Sequence, residues 1–281
     1  MYTTLISAQD LAAHLQDENW LILDCRHDLM DTHAGRNAYQ LAHIPGAQFV
    51  HLDQRLSGAQ LTADGVFRGR HPLPEQQHFI ETLSALGIND DSQVIAYDAQ
   101  GGMFAARLWW MLRWVGHAAV AVLDGGLPAW QAQALPLTQE VPAPRAGNIT
   151  LRPGLTAHVD AEAVQRNIAS AERTLVDARA ADRFRGENES IDPVGGHIPG
   201  ANNRFFKENL QDDGRFKTAE QLRFEWAGVV PDASRAIMQC GSGVTACHNL
   251  LALEVAGLSG AALYPGSWSE WCADPERPVA K

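Results

Sequence analysis

Short apolar runs punctuate the chain, and each stops at polar residues or glycine. Leu21-Ile22-Leu23 gives way to Asp24-Cys25-Arg26, Val94-Ile95-Ala96 to Tyr97-Asp98, and Val122-Leu123 to Asp124-Gly125-Gly126. Further on, Leu175-Val176 ends at Asp177-Ala178-Arg179, Ala236-Ile237-Met238-Gln239 at Cys240, and Ala262-Leu263 at Tyr264-Pro265-Gly266. Compact apolar runs of this kind predict strands buried on both faces, as in a parallel sheet covered by helices. Helical stretches fit between them. Ser7, with Asp10 three residues on, predicts one N-cap, Asp160 predicts another for a helix running through Ala171, and residues 246–256 read as a third helix. The expected class is α/β, with functional loops at the carboxyl ends of the strands, where Asp24, Asp98, Asp177 and Cys240 fall.

The pattern occurs twice. Asp177 follows Asp24 by 153 positions, and His43-Ile44-Pro45-Gly46-Ala47 returns 154 positions later as His197-Ile198-Pro199-Gly200-Ala201. Pro and Gly together make each copy a tight turn. The run ending at Asp98 returns after 142 positions as the run ending at Cys240. A carboxylate thus stands in one half where a thiol stands in the other. The falling offset places extra residues in the first half, most economically in Gln54 to Pro74. Between the halves, Leu135 to Gly154 carries Pro136, Pro142, Pro144 and Pro153 with little apolar periodicity. The organisation expected is a domain over 1–138, a linker over 139–155 and a second domain over 156–281.

Charge and composition narrow the function classes. With 33 acidic against 22 basic residues the net charge is −11, which argues against nucleic acid as a partner. No run approaches a membrane span, and Met1 to Leu15 lacks a basic region followed by a long apolar stretch, so the expectation is a cytoplasmic protein without a membrane partner. The four cysteines, Cys25, Cys240, Cys247 and Cys272, have neither disulfide-framework nor metal-site spacing. With no Walker loop or dinucleotide fingerprint either, no cofactor and no metal are expected.

Cys240 opens the small-residue loop Gly241-Ser242-Gly243-Val244-Thr245 before a helix. Several backbone N–H groups and a positive helix end can converge there on the sulfur, favouring the thiolate, which is the reactive form. A cysteine phosphatase needs an arginine six residues after its nucleophile, and Ala246 holds that position. Tryptophans Trp109, Trp110 and Trp114 read as packing residues, and His43 and His197, inside the repeated turn, as structural ones. Asp24 and Asp177 read as local contacts, with Arg179 the partner of Asp177.

The doubled His-Ile-Pro-Gly-Ala turn, the Cys240 loop and the segment Gly266-Ser267-Trp268-Ser269-Glu270-Trp271 resemble the tandem rhodanese-type sulfurtransferases over nearly the whole chain. The loop Cys240 to Thr245 is similar to that of the 3-mercaptopyruvate sulfurtransferases, whereas thiosulfate enzymes place basic residues where Gly241 and Ser242 stand. The resemblance implies two rhodanese-like domains, the first without its cysteine, and sulfur transfer from mercaptopyruvate through a persulfide on Cys240 to a thiol, cyanide or thioredoxin. It further implies that Ser242 and His71, from Arg70-His71-Pro72-Leu73-Pro74, form a proton relay. His71 comes from the first half of the chain and would reach Ser242 from the other domain; Asp64 is the aspartate by position. Arg183 is the expected carboxylate ligand, with Arg185 compensating for a second family arginine that Ile191 to Gly196 does not contain. The backbone of Gly241, Gly243, Val244 and Thr245 is the expected anion seat. Thiosulfate as main donor, and a carrier module that only relays sulfur, are the competing readings.

Overall fold

The computed structural model describes Met1–Lys281 except Pro144, so that member of the proline-rich stretch lies outside the described residues. Strands β1 (Leu5–Ile6), β2 (Trp20–Asp24), β3 (Gln48–Phe49), β4 (Gln93–Tyr97) and β5 (Val120–Leu123) form one sheet in the order β1-β5-β4-β2-β3. Strands β6 (Ala157–His158), β7 (Thr174–Asp177), β8 (Asn202–Asn203), β9 (Ala236–Gln239) and β10 (Ala262–Leu263) form the other in the equivalent order β6-β10-β9-β7-β8. Every pairing is parallel. The expected α/β class and its repetition are both present. Registers repeat too: Asp24 pairs with Tyr97 in the first sheet and Asp177 with Gln239 in the second.

The central strands β4 and β9 are buried at every residue, as their unbroken apolar runs require. Ile44, Tyr97 and Trp130 pack in the first core, and Ile198, Ile237, Trp268 and Trp271 in the second. Trp109, Trp110 and Trp114 are buried on helix Ala105–Trp114, confirming their packing role. Both expected caps are made: Ser7 Oγ accepts the Asp10 N–H at 3.0 Å, and the Asp160 carboxylate accepts that of Ala163 at 2.8 Å. The second of these helices runs over Ala161–Ser170 and stops where Ala171 turns left-handed, at φ 49°.

A buried arginine braces each strand end. Arg26 holds Asp24 through Nε and Nη2, and Arg179 holds Asp177 in the same manner, with shortest distances of 2.6 and 2.7 Å. Each Nη2 also donates to the carbonyl just before the repeated turn, Ala42 in one half and Gly196 in the other. A fully desolvated ion pair of this kind serves geometry, and breaking it by removing one partner is costly. The turn histidines are structural as well, since His43 stacks on Tyr39 and His197 on Phe184 at 3.9 and 3.7 Å.

The chain divides into two compact units that differ from a simple cut in sequence. One comprises Met1–Ser57, Pro74–Leu155 and Leu210–Phe216; the other comprises Gly58–Leu73, Thr156–Asn209 and Lys217–Lys281. The proline-rich stretch is bonded along the first unit, with Gly147, Ile149, Arg152 and Leu155 donating to Ser84, Ile88, Val115 and Arg113 carbonyls. The hairpin Gly58–Leu73, expected only as extra residues, is part of the second unit. Among the described residues, no helix is long and apolar enough to cross a membrane.

Candidate active site

Cys240 lies one residue beyond β9 and is 2% exposed. Three residues of the segment after β10 hold its backbone. Its N–H donates to Ser267 Oγ at 3.1 Å, its carbonyl accepts from Trp268 N at 3.0 Å, and the Gly241 carbonyl accepts from Ser269 N at 2.9 Å. Ser267 adopts φ 54°, a left-handed conformation costing about 1–3 kcal/mol, and its hydroxyl donates to the Tyr264 carbonyl at 2.8 Å while it receives the Cys240 amide. Gly243 has φ 74°, and a Cβ there would lie 2.9 Å from Pro265 Cα, so glycine is required at that corner.

Helix Thr245–Val255 then begins directly beyond the loop. Among the described residues, no backbone carbonyl accepts from the amides of Gly241, Ser242, Val244 or Thr245. Unpaired amides next to a helix N-terminus are the donors that an anion seat needs, and they directly follow Cys240 in the chain. The first unit shows what such a seat holds. At Asp98, Oδ1 accepts the Gln100 and Gly102 amides at 2.8 and 2.9 Å, and Oδ2 those of Phe104 and Ala105 at 2.7 and 2.9 Å. Burial pushes the Asp98 carboxyl up, and the amides pull against that shift.

His71 Nδ1 lies 2.7 Å from Ser242 Oγ, and both residues are buried. The hairpin carrying His71 approaches the clamp segment closely: Arg70 N donates to Ser269 Oγ at 3.1 Å, and a Cβ on Gly69 would sit 2.8 Å from the Gly266 carbonyl oxygen. Gly58–Leu73 and Ser242 belong to the same compact unit, so this pair forms within that unit. Asp64 is not its partner. That residue is exposed at the hairpin turn, where its carboxylate accepts the Thr62 hydroxyl at 2.6 Å.

Arg183 stands beside the loop, and a Cβ on Gly241 would be 3.8 Å from both of its terminal nitrogens. Glu189 receives its Nε and Nη2 at 2.8–3.1 Å, and Asp192 receives Nη2 at 3.3 Å. Burial raises the Glu189 carboxyl, but Arg183 and the Ile191 and Asp192 amides outweigh it and leave the group below its ordinary value. Burial keeps Asp192 above its own ordinary value despite Arg70 and Arg183. Arg185 departs from expectation: it pairs outward with Glu187 at 2.7–2.8 Å, and both side chains are about half exposed. The guanidinium found at Gly241 besides Arg183 is that of Arg70, whose Nη1 is ion-paired with Asp192. Sequence reasoning passed over Arg70, Glu189 and Asp192, although Arg70 adjoins His71, Asp192 lies within Ile191 to Gly196 and Glu189 just before it.

The other thiols are unsuited to nucleophilic attack. Burial pushes Cys272 up to about 11, and burial with Asp24 and Asp98 raises Cys25. The Cys247 thiol donates to the Gly243 carbonyl at 3.3 Å, bracing the loop corner. Among the described residues, His27, His51 and Asp53 bring metal-ligand atoms within 4.8 Å of one another. His51 is already engaged, however, with Nδ1 accepting the Asp53 amide at 3.2 Å and Nε2 lying 3.0 Å from the Thr32 carbonyl, so capping of helix Leu52–Arg55 accounts for it.

The repeated sheet, with a cysteine at the end of the central strand of one copy alone, defines a protein of tandem α/β construction. The chain belongs to the rhodanese family: the Rhodanese-like domain model matches residues 7–133 and again 160–274. It is 47% identical over 279 residues, covering 98% of this chain and 97% of the relative, to a Pseudomonas aeruginosa protein named "Probable 3-mercaptopyruvate sulfurtransferase". It is 35% identical over 295 residues to a thiosulfate sulfurtransferase of Cricetulus griseus, covering 100% of this chain and 96% of the relative. Among solved structures, a 3-mercaptopyruvate sulfurtransferase from Leishmania major superposes with TM-score 0.86 at 31% identity, covering 99% of this chain and 76% of that one.

Proposed function

We propose that the chain transfers a sulfane sulfur from 3-mercaptopyruvate through a persulfide on Cys240 to a thiol or cyanide, releasing pyruvate. The observation that carries this reading is the amide cradle around Cys240 with the 2.7 Å contact between His71 and Ser242 beside it. In the first step the Cys240 thiolate attacks the donor sulfur. An S–S bond forms, the C–S bond breaks, and its electron pair passes to the departing carbon as the pyruvate enolate. The proton leaving the donor thiol is delivered to that carbon, with Ser242 and His71 as relay, which leaves a persulfide anion and pyruvate. The amides of Gly241 to Thr245 hold that anion. In the second step a thiol or cyanide takes the outer sulfur, and the Cys240 thiolate is restored. Relatives bearing the mercaptopyruvate name support this donor, as does Gly241, which leaves the loop without a basic side chain at that position.

A thiosulfate reading rests on the hamster relative and is kept as the alternative. Comparing kcat/KM for the two donors decides between them: a ratio of at least about 10 in favour of mercaptopyruvate is expected, and a ratio below one overturns the assignment. Absence of turnover with both donors, alongside sulfur loading from a desulfurase, identifies a carrier. Four free cysteines are consistent with a reducing compartment such as the cytoplasm, and thioredoxin is a candidate acceptor there.

A further inference from the structure

The anion seat beside Cys240 has a second cationic member. We propose that Arg70 binds the donor carboxylate jointly with Arg183, and that Asp192 positions Arg70 for that contact. The inference rests on the mercaptopyruvate reading above and adds the carboxylate seat to it.

Three observations converge. Gly241 is the point to which both guanidinium groups reach: a Cβ built there would lie 2.9 Å from Arg70 Nη2 and 3.8 Å from Arg183 Nη1 and Nη2. The carboxylates engage other nitrogens, since Asp192 takes Arg70 through Nη1, while Glu189 takes Arg183 through Nε and Nη2. Among the described residues, neither Arg70 Nη2 nor Arg183 Nη1 has a hydrogen-bond acceptor, so one N–H-bearing end of each arginine faces the loop. Exposure follows the same division. The arginine side chains are 23% and 21% exposed, whereas those of Asp192 and Glu189 are 2% and 4% exposed, which puts the acids behind and the cationic ends toward an incoming ligand.

The chemistry of the donor fits that geometry. In an α-keto acid bearing a terminal thiol, two carbons separate the sulfur from the carboxylate carbon, a span of roughly 4 Å from ordinary bond lengths. A seat at the residue following the nucleophile is at the right distance, because neighbouring Cα atoms are about 3.8 Å apart. Two guanidinium ends present N–H donors to a planar carboxylate, which a single lysine cannot do. The Arg70 guanidinium also occupies the space that a side chain at position 241 would need, so Gly241 and Arg70 act as one determinant. Charges within the cluster balance, Arg70 and Arg183 against Glu189 and Asp192, so the ligand is selected by N–H direction and not by bulk positive potential.

The test compares KM with kcat for 3-mercaptopyruvate in Arg70→Ala, Arg70→Lys and Asp192→Asn, and measures pyruvate binding by calorimetry. Arg70→Ala is expected to raise KM about 10- to 100-fold with kcat within a few-fold, and to weaken pyruvate binding by a similar factor. Arg70→Lys recovers part of the loss. Asp192→Asn raises KM by a smaller factor, and combining it with Arg70→Ala adds nothing further, because Asp192 acts through Arg70. Unchanged KM and pyruvate binding in Arg70→Ala overturn the proposal while leaving the donor assignment standing. Pyruvate that binds wild type and Arg70→Ala differently supports the seat even where the wild type fails to turn over mercaptopyruvate, the result that sinks the donor assignment alone. If Arg70→Ala does not fold, equal KM in wild type and a folded Arg70→Lys overturns the seat.

Discussion

The ends of β4 and β9 present two versions of one device. At both, a strand delivers a side chain into a glycine-containing loop ahead of a helix. In the first unit the side chain is a carboxylate, Asp98, and amides from Gln100 to Ala105 close on it at 2.7–2.9 Å. In the second it is Cys240, and the amides of Gly241, Ser242, Val244 and Thr245 have no carbonyl acceptor among the described residues. The backbone arrangement offers N–H donors in each case, but in one copy a carboxyl group already takes them, while in the other they are left for an anion made during the proposed reaction. The carboxylate offsets part of its own burial by those bonds, which makes Asp98 a structural plug, whereas Cys240 is the working group under the proposed function.

The largest effect expected from breaking this difference is at the sulfur. Cys240→Ser should lower turnover by more than about 10⁴-fold, since no other thiol is placed to form the covalent intermediate. Cys240→Asp should be equally inactive yet fold with a melting temperature at or above wild type, because it recreates the Asp98 arrangement; an unfolded Cys240→Asp protein would show that the two cradles are not equivalent. Next is the relay. His71→Ala should reduce kcat about 10²- to 10³-fold at nearly constant KM, and a loss confined to KM would remove His71 from proton transfer. Asp98→Ala, by contrast, should act on stability. Leaving several buried N–H groups unmet should cost about 3 kcal/mol in urea unfolding, at about 1–3 kcal/mol per unsatisfied group with incomplete additivity; a change below half a kcal/mol contradicts the plug. The smallest effect is on labelling of the peripheral thiols. With its thiol pushed up to about 11, Cys272 should be alkylated only slowly at pH 8, where about one molecule in a thousand is thiolate, and should become reactive as the pH approaches 11. Rapid labelling of Cys272 at pH 8 by mass spectrometry would count against the burial argument.

The architecture was legible in sequence because buried parallel strands write themselves as apolar runs, and because a duplicated chain repeats its own punctuation. Ser7, Asp160 and the His-Ile-Pro-Gly-Ala turns are local features, and each took the conformation its residues predict. The Asp24–Arg26 and Asp177–Arg179 braces are two residues apart in sequence and equally local. The arginine site was less legible, for the opposite reason. Arg185 lies close to Arg183 in sequence, but the short helix Ala181–Phe184 ends there and sends the two side chains to different acids, Arg183 inward to Glu189 and Arg185 outward to Glu187. Arg70 reaches Gly241 from 171 positions away, on a hairpin whose packing no periodicity announces. Asp64 failed for a related reason: Thr62, two residues before it, captures the carboxylate in its own turn.

The most direct test of the account is intact-peptide mass spectrometry of the protein after brief exposure to 3-mercaptopyruvate without an acceptor. The account predicts one additional sulfur atom on the peptide containing Cys240, removed by cyanide and missing in Cys240→Ser. Sulfur retained on Cys25, Cys247 or Cys272 instead, or pyruvate release with no sulfur on Cys240, would contradict it.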